Sequence, residues 1–337
     1  MKKLLLILLC LPMIGFGQQT YVPDDNFENY LEANGMGDGI ALNDYVFTSN
    51  INSITSLYIL NLSITDLTGI EDFTSLEELY CFDNQLTMLD VSSNTSLTDL
   101  SCNDNQLTSI DVSNNLSLSD FRCGHNQLTN LDVSNNTALT LLFCHDNQLT
   151  ILDLNNNTNL TYLACIDNQL TNLDLSQNTS LGNLHCSENQ LTNLNLINHT
   201  LLTSLKCSDN QLTMLDLSQN TSLVELNCIN NQLTSLDIKN GNNTNMSLYC
   251  SSNSPLLCIN VDDAVWSITY WTVGSGMIDA QHYFSTNCSG STSIQEHSTS
   301  KELLKVTDLL GRETKQTNQP LFYIYDDGTV EKRIVIE

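Results

Sequence analysis

Apolar residues return to the same offsets every 21 positions from Leu76 to about Asn242. One stretch supplies Leu76, Leu79, Cys81, Leu86, Leu89 and Val91; the next supplies Leu97, Leu100, Cys102, Leu107, Ile110 and Val112. Polar residues, mostly Asn, Asp, Ser and Thr, fill the intervals. Cysteine marks the beat: Cys81, Cys102, Cys123, Cys144, Cys165, Cys186, Cys207 and Cys228 are evenly spaced, and Cys250 follows one residue late. A fixed period of this length predicts a stack of like coils rather than a globule with one centre. Six apolar side chains cannot offset the conformational entropy of an ordered coil. Stacking must supply the remainder, through backbone ladders and contacts shared with neighbours.

Within a coil, alternation predicts a strand around Leu79-Tyr80-Cys81, with Leu79 and Cys81 inward. An asparagine follows at the bend, as Asn84, Asn105, Asn126, Asn147, Asn168, Asn189, Asn210 and Asn231. An inward amide there can pair with backbone groups that the bend leaves over. Gln85, Thr87 and their equivalents read as outer hydrogen-bond ladders. Leu57–Phe73 forms one or two irregular coils. Before them, Asp24 or Asp25 can cap a helix carrying Phe27, Tyr30 and Leu31, ended by Gly35, Gly37 and Gly39. Such a segment would cover the first open coil, as solenoids require.

The formal net charge of −27, from 38 acidic against 11 basic residues, argues against nucleic acid or an anionic membrane as partner. Residues 1–17 read as a signal peptide: Lys2 and Lys3, an apolar run from Leu4 to Met13, then Gly15-Phe16-Gly17. That run is too short to span a bilayer, and no other stretch could. Leu9 before Cys10 does not fit a lipoprotein cleavage site. Export permits disulfides, but cysteines stacked in register point the same way and are poorly placed to bridge. They read as small buried hydrophobes. Cys258 and Cys288 lie outside the period and are the better disulfide pair.

Leu76-x-x-Leu79-x-Cys81-x-x-Asn84-x-Leu86 resembles the leucine-rich repeat signature, with cysteine where that family usually has leucine. The Leu60–Leu79 stretch, with Ile64-Thr65-Asp66-Leu67, resembles its internalin-like branch. The resemblance implies a β-rich solenoid of the α/β class, right-handed, with a parallel sheet on its concave face. It also implies binding of proteins or surface glycans through that sheet. A short N-terminal helical cap and a small C-terminal β module complete the expected architecture. Expected boundaries are signal peptide 1–17, N-terminal cap 18–56, solenoid 57–253, C-terminal cap 254–288, linker 289–300 and terminal module 301–337. The terminal module reads as three strands. Its Gly311 turn, Gly328 and Lys332-Arg333-Ile334-Val335-Ile336 end resemble the sorting domain of type IX secretion substrates. That resemblance implies the type IX machinery as a partner; a generic β module is the other reading.

Candidate chemistry lies where the coils differ. The residue before each cysteine runs Tyr80, Ser101, Arg122, Phe143, Ala164, His185, Lys206, Asn227, and the residue after it runs Phe82, Asn103, Gly124, His145, Ile166, Ser187, Ser208, Ile229. A third column, Glu78 to Glu225, includes Asp120, Leu141 and Tyr162. All three project to the sheet's solvent side. Tyr80, Phe82, Arg122, Phe143, His145, Tyr162, Ile166, His185 and Lys206 are the candidate contacts for a protein or cell-surface macromolecule; unconstrained drift is the competing explanation. Two acidic columns, one from Asp90 to Asp237 and one from Asp83 to Asp209, read as turn caps, with calcium bridging as the alternative. No cofactor is expected otherwise. No phosphate loop, zinc helix or nucleophile elbow appears, so no enzyme is expected. Binding through the concave sheet, in adhesion or surface interaction, is the leading expectation. A calcium-linked coat element and glycan binding are the alternatives.

Overall fold

The computed structural model describes residues 18–288 and the backbone of three further strands, over 303–307, 320–325 and 330–334. The expected signal peptide, linker, Gly311 turn and Gly328 lie outside these residues. Two compact units divide the chain between Asn287 and Cys288.

The first unit opens with β1 (Gln19–Tyr21), α1 (Asp25–Ala33), β2 (Tyr45–Phe47) and α2 (Thr48–Ile51). Asp24 caps α1, accepting from the Asn26 and Phe27 amides at 3.0 Å each. Its second oxygen accepts from the Thr65 amide and hydroxyl at 2.8 Å, so one carboxylate ties the helix start to the first coil. Those hydrogen bonds hold its pKa below the ordinary value against the opposing effect of burial, the largest single influence. Phe27 and Leu31 are fully buried, and Phe27 stacks near Phe73. The antiparallel pair β1–β2 was not evident in the sequence.

The coils then contribute β3 (Ser56–Tyr58), β4 (Glu78–Tyr80), β5 (Asp99–Ser101), β6 (Asp120–Arg122), β7 (Leu141–Phe143), β8 (Tyr162–Ala164), β9 (Asn183–His185), β10 (Ser204–Lys206), β11 (Met214–Asp216), β12 (Glu225–Asn227), β13 (Ser235–Asp237) and β14 (Ser247–Tyr249). A ten-stranded parallel sheet runs β3-β4-β5-β6-β7-β8-β9-β10-β12-β14. Leu79 pairs with Leu100, Leu100 with Phe121 and Phe121 with Leu142, so like residues stack. Each strand of this sheet is three residues long, and from β4 onward each ends one residue before its cysteine, not on it. The cause is the left-handed residue two positions beyond the cysteine, such as Asp83 at φ 57° or Asp104 at φ 55°, which turns the chain out of the sheet. Cys81 is still fully buried, and its amide still donates to the Ser101 carbonyl at 2.8 Å.

A second sheet, β11-β13-β15-β16, is completed by β15 (Cys258–Asn260) and β16 (Tyr283–Ser285), with α3 (Ala264–Tyr270) between them. A disulfide joins Cys258 to Cys288. Trp271 is buried against Phe284, their ring centroids 5.6 Å apart. The second unit holds β17 (Leu303–Thr307), β18 (Pro320–Tyr325) and β19 (Val330–Ile334), antiparallel in that order. Among the described residues, no helix is long and apolar enough to cross a membrane.

Candidate functional site: the outward face of the sheet

Three sets of polar side chains hold each coil in place before any ligand is considered. At the bend, Asn147 accepts from the Leu128 amide at 2.9 Å and donates to the carbonyls of Cys123, Cys144 and His145 at 3.0–3.2 Å. Asn84, Asn105, Asn126, Asn168, Asn189, Asn210 and Asn231 sit in the same place and make the same kind of bonds. Each side chain thus bridges two coils through main-chain groups that could not otherwise pair. A second column, Asn94, Asn115, Asn136, Asn157, Asn178 and Asn220, is fully buried. Asn136 donates to the Val112 and Asn115 carbonyls of the preceding coil at 2.9 Å each. The equal spacing of this column is visible in the sequence, but its buried bonding role is not.

The acidic columns divide. Asp90, Asp111, Asp132 and Asp174 each accept from the amide two residues on, at 2.9 Å. Bonds from the following serines hold all four carboxyls below their ordinary pKa. Asp83, Asp104, Asp146, Asp167, Glu188 and Asp209 instead occupy the left-handed turn position.

Cysteine stacks behind the sheet. All nine from Cys81 to Cys250 are free thiols and buried. Burial pushes Cys81, Cys165 and Cys207 up to about 12. Thiols this deep and this protonated behave as hydrophobes.

The outward face is built by the residues flanking each strand's buried central residue, a leucine everywhere except Phe121 of β6. Arg122 makes a two-pronged ion pair with Asp120 on the same strand, Nε to Oδ1 at 2.9 Å and Nη2 to Oδ2 at 2.7 Å. The Asp120 bond raises the Arg122 pKa further. Fixed in this way, the guanidinium carbon lies 5.0 Å from the centroid of the Phe143 ring. Phe143 stacks on Tyr162 at 4.8 Å. Tyr162 meets His185 edge to face at 5.2 Å, and its hydroxyl lies 3.0 Å from His185 Nδ1. Ala164 stands between Phe143 and His185 in register, and its small size leaves room for the diagonal aromatic contacts. Burial lowers the His185 pKa, as does Lys206. One chain of ring and charge contacts therefore crosses β6, β7, β8 and β9.

Lys206 lies 3.4 Å from Glu225, which also accepts from the Ser204 hydroxyl at 2.7 Å. The Ser204 bond is the main reason the Glu225 carboxyl lies below its ordinary pKa. Tyr80 stacks on Tyr58 at 5.0 Å, and Tyr58 donates to Glu78 at 2.6 Å. Tyr58 carries no periodic signal, because its coil has Ile59 where the later coils have cysteine. His145 lies apart from the ladder, against His125 and Asp146. Phe82 and Ile166 are half-buried one residue beyond their cysteines and enter none of these ring contacts.

A parallel sheet of aligned leucines, backed by a cysteine stack and an asparagine-held bend, defines a leucine-rich repeat solenoid. No protein-family profile matches the chain. Internalin J of Listeria monocytogenes serotype 4b (strain F2365) is 38% identical over 74 residues, which cover 22% of this chain and 8% of that protein. The solved functional domain of InlJ from Listeria monocytogenes, described as including a cysteine ladder, is 37% identical with a TM-score of 0.65. That match covers 74% of this chain and 58% of the InlJ domain, so this chain spans less than two thirds of either relative. Internalin inlF of the same organism superposes with a TM-score of 0.56 at 23% identity, over 79% of this chain and 91% of that one. The leucine-rich repeat protein LIC12759 of Leptospira interrogans does so at 0.55 and 24%, over 69% and 62%. The chain has the internalin-type leucine-rich repeat fold.

Proposed function

We propose that this chain is an exported binding protein that docks another protein on the outward face of its ten-stranded sheet, in surface attachment or recognition. The observation carrying this reading is the Arg122–Phe143–Tyr162–His185 ladder. Aromatic and arginine side chains are the residues that dominate binding energy when a partner covers them. Here they are already held by Asp120 and by one another, so docking immobilises few free rotamers. Drift at unconstrained positions would produce mixed residues, but it has no reason to join four strands in one contact chain. Tyr80 with Tyr58, and Lys206 with Glu225, extend the surface on either side. The likeness to the InlJ functional domain supports a binding role over a catalytic one.

Export rests on residues 1–17 read as a leader and on 301–337 read as a type IX sorting segment. Fusing 301–337 to a reporter tests the second point: release to the cell exterior supports it, and retention in the periplasm counts against it. Binding is tested with the chain carrying Arg122→Ala, Phe143→Ala and Tyr162→Ala together. Pull-downs from cell-surface extracts should recover a partner with the native chain and none with the variant, while circular dichroism is unchanged. Equal recovery by both would remove the surface assignment. The serine-bonded aspartates account for one acidic column without a cation, so millimolar calcium should leave the melting temperature where it was. An upward shift would favour a calcium-linked coat element.

A further inference from the structure

Two imidazoles and a carboxylate converge at the turns that follow β6 and β7. His125 and Asp146 occupy the same left-handed position in successive coils, at φ 49° and 53°. The His125 amide donates to the His145 carbonyl at 2.9 Å, which stitches the two turns together. Asp146 Oδ2 lies 2.7 Å from His145 Nδ1 and 3.5 Å from His125 Nε2. The two rings meet edge to face, 4.9 Å between centroids. One donor atom from each residue lies within 4.8 Å of the other two.

Gly124 supplies a second, independent observation. Every other coil from Phe82 to Ile229 has a side chain at this position. A Cβ on Gly124 would stand 2.6 Å from both Cε1 and Nε2 of His145. The φ of Gly124 is not in the left-handed region, so the turn itself does not require glycine. The imidazole does. Glycine opens the space that lets His145 fold back over the preceding coil, toward His125.

We propose that His125, His145 and Asp146 bind a first-row divalent transition ion of the zinc class. Imidazole nitrogen suits zinc, copper and nickel. Donors around tetrahedral zinc stand about 3.3 Å apart, and the observed 2.7 and 3.5 Å bracket that separation. Calcium wants six or more oxygens, which this cluster does not offer. The side chains of His125, His145 and Asp146 are 51%, 26% and 35% exposed, so an ion reaches them directly from solvent. The net charge of −27 favours cation approach. Three protein donors leave a coordination position for water or for a group of a docked partner. None of the three belongs to the Arg122–His185 ladder, so this site stands or falls separately from the docking reading.

The test is calorimetric titration of zinc chloride into the full chain, in excess calcium and above the ordinary imidazole pKa of about 6.5. Cobalt(II) serves as a spectroscopic probe of the ligands. One equivalent of zinc should bind. His125→Ala and His145→Ala should each weaken binding by at least about tenfold, and so should Gly124→Ala, which removes no donor. His185→Ala should leave it unchanged. His125→Asn gives a fold control, because Asn230 fills the same turn position at φ 54°; it should melt as the native chain does and still lose zinc. Absence of saturable binding, native affinity retained in either histidine variant, or thiolate-to-cobalt bands from the cysteines would overturn the proposal.

Discussion

The bend held by Asn147 and the sheet face held by Phe143 lie four residues apart in one coil, yet they follow opposite rules. At the bend, main-chain groups of two coils converge with little access to water, and the asparagine amide puts an acceptor oxygen and a two-hydrogen donor on separate atoms there. The position is therefore the same in coil after coil. On the sheet face, the backbone is satisfied by its neighbours in the ladder and side chains project into solvent. Tyr80, Ser101, Arg122 and Phe143 follow one another with no such constraint. Repetition marks the positions that hold the solenoid, and departures from it mark those free to recognise something.

Breaking the constant side of this contrast should have the largest effect. Asn147→Ala strips the Leu128 amide and at least two carbonyls of their partner and should cost about 3 kcal/mol, read from the urea midpoint. A smaller loss, about 2 kcal/mol, is expected for Cys144→Ser, which buries a hydroxyl where a thiol packed. In the native chain the nine stacked thiols should resist a water-soluble thiol reagent and become reactive only in denaturant.

His199 offers a change of the opposite sign. It replaces asparagine in the second column, is 1% exposed, and meets neither nearby carbonyl, of Leu175 or Leu196, with hydrogen-bond geometry. A cavity of about 210 Å³ opens beside it, lined also by Asn195 and Ile197, which depart from the repeat as well. His199→Asn should restore the bonds its neighbours make and raise stability by about 1 kcal/mol. Burial lowers the His199 pKa in the folded chain. The unfolded chain therefore binds its proton first: stability is full above the ordinary imidazole value of about 6.5 and falls as pH drops toward the folded value. His199→Asn should flatten that slope in pH-dependent melts. His185 and His282, also lowered mainly by burial, should leave the remainder. The smallest effect belongs to the variable side. Arg122→Ala should lower the stability read from the urea midpoint by only about 1 kcal/mol, because the Arg122 side chain of its pair with Asp120 is 45% exposed.

The solenoid was legible from its period, the capping helix from its capping aspartate and helical spacing, the terminal strands from apolar runs between turn residues, and the Cys258–Cys288 bond from two cysteines outside the period. Which outward residues meet was not. Phe143 and Tyr162 sit 19 residues apart in different columns, and only the stagger of neighbouring strands makes them a stacked pair. The same holds for His125 and His145, one at the turn and one just before it. The strand limits shifted by one residue because a left-handed turn, set by Asp83 and its equivalents, leaves no periodic apolar signal.

The most direct measurement places a photocrosslinking residue at position 143, on the sheet face, or at position 156, exposed on another side of the solenoid. Illumination in cell-surface extract should trap a protein from position 143 and none from position 156. Equal trapping from both, or trapping from 156 alone, would contradict a docking surface on the sheet.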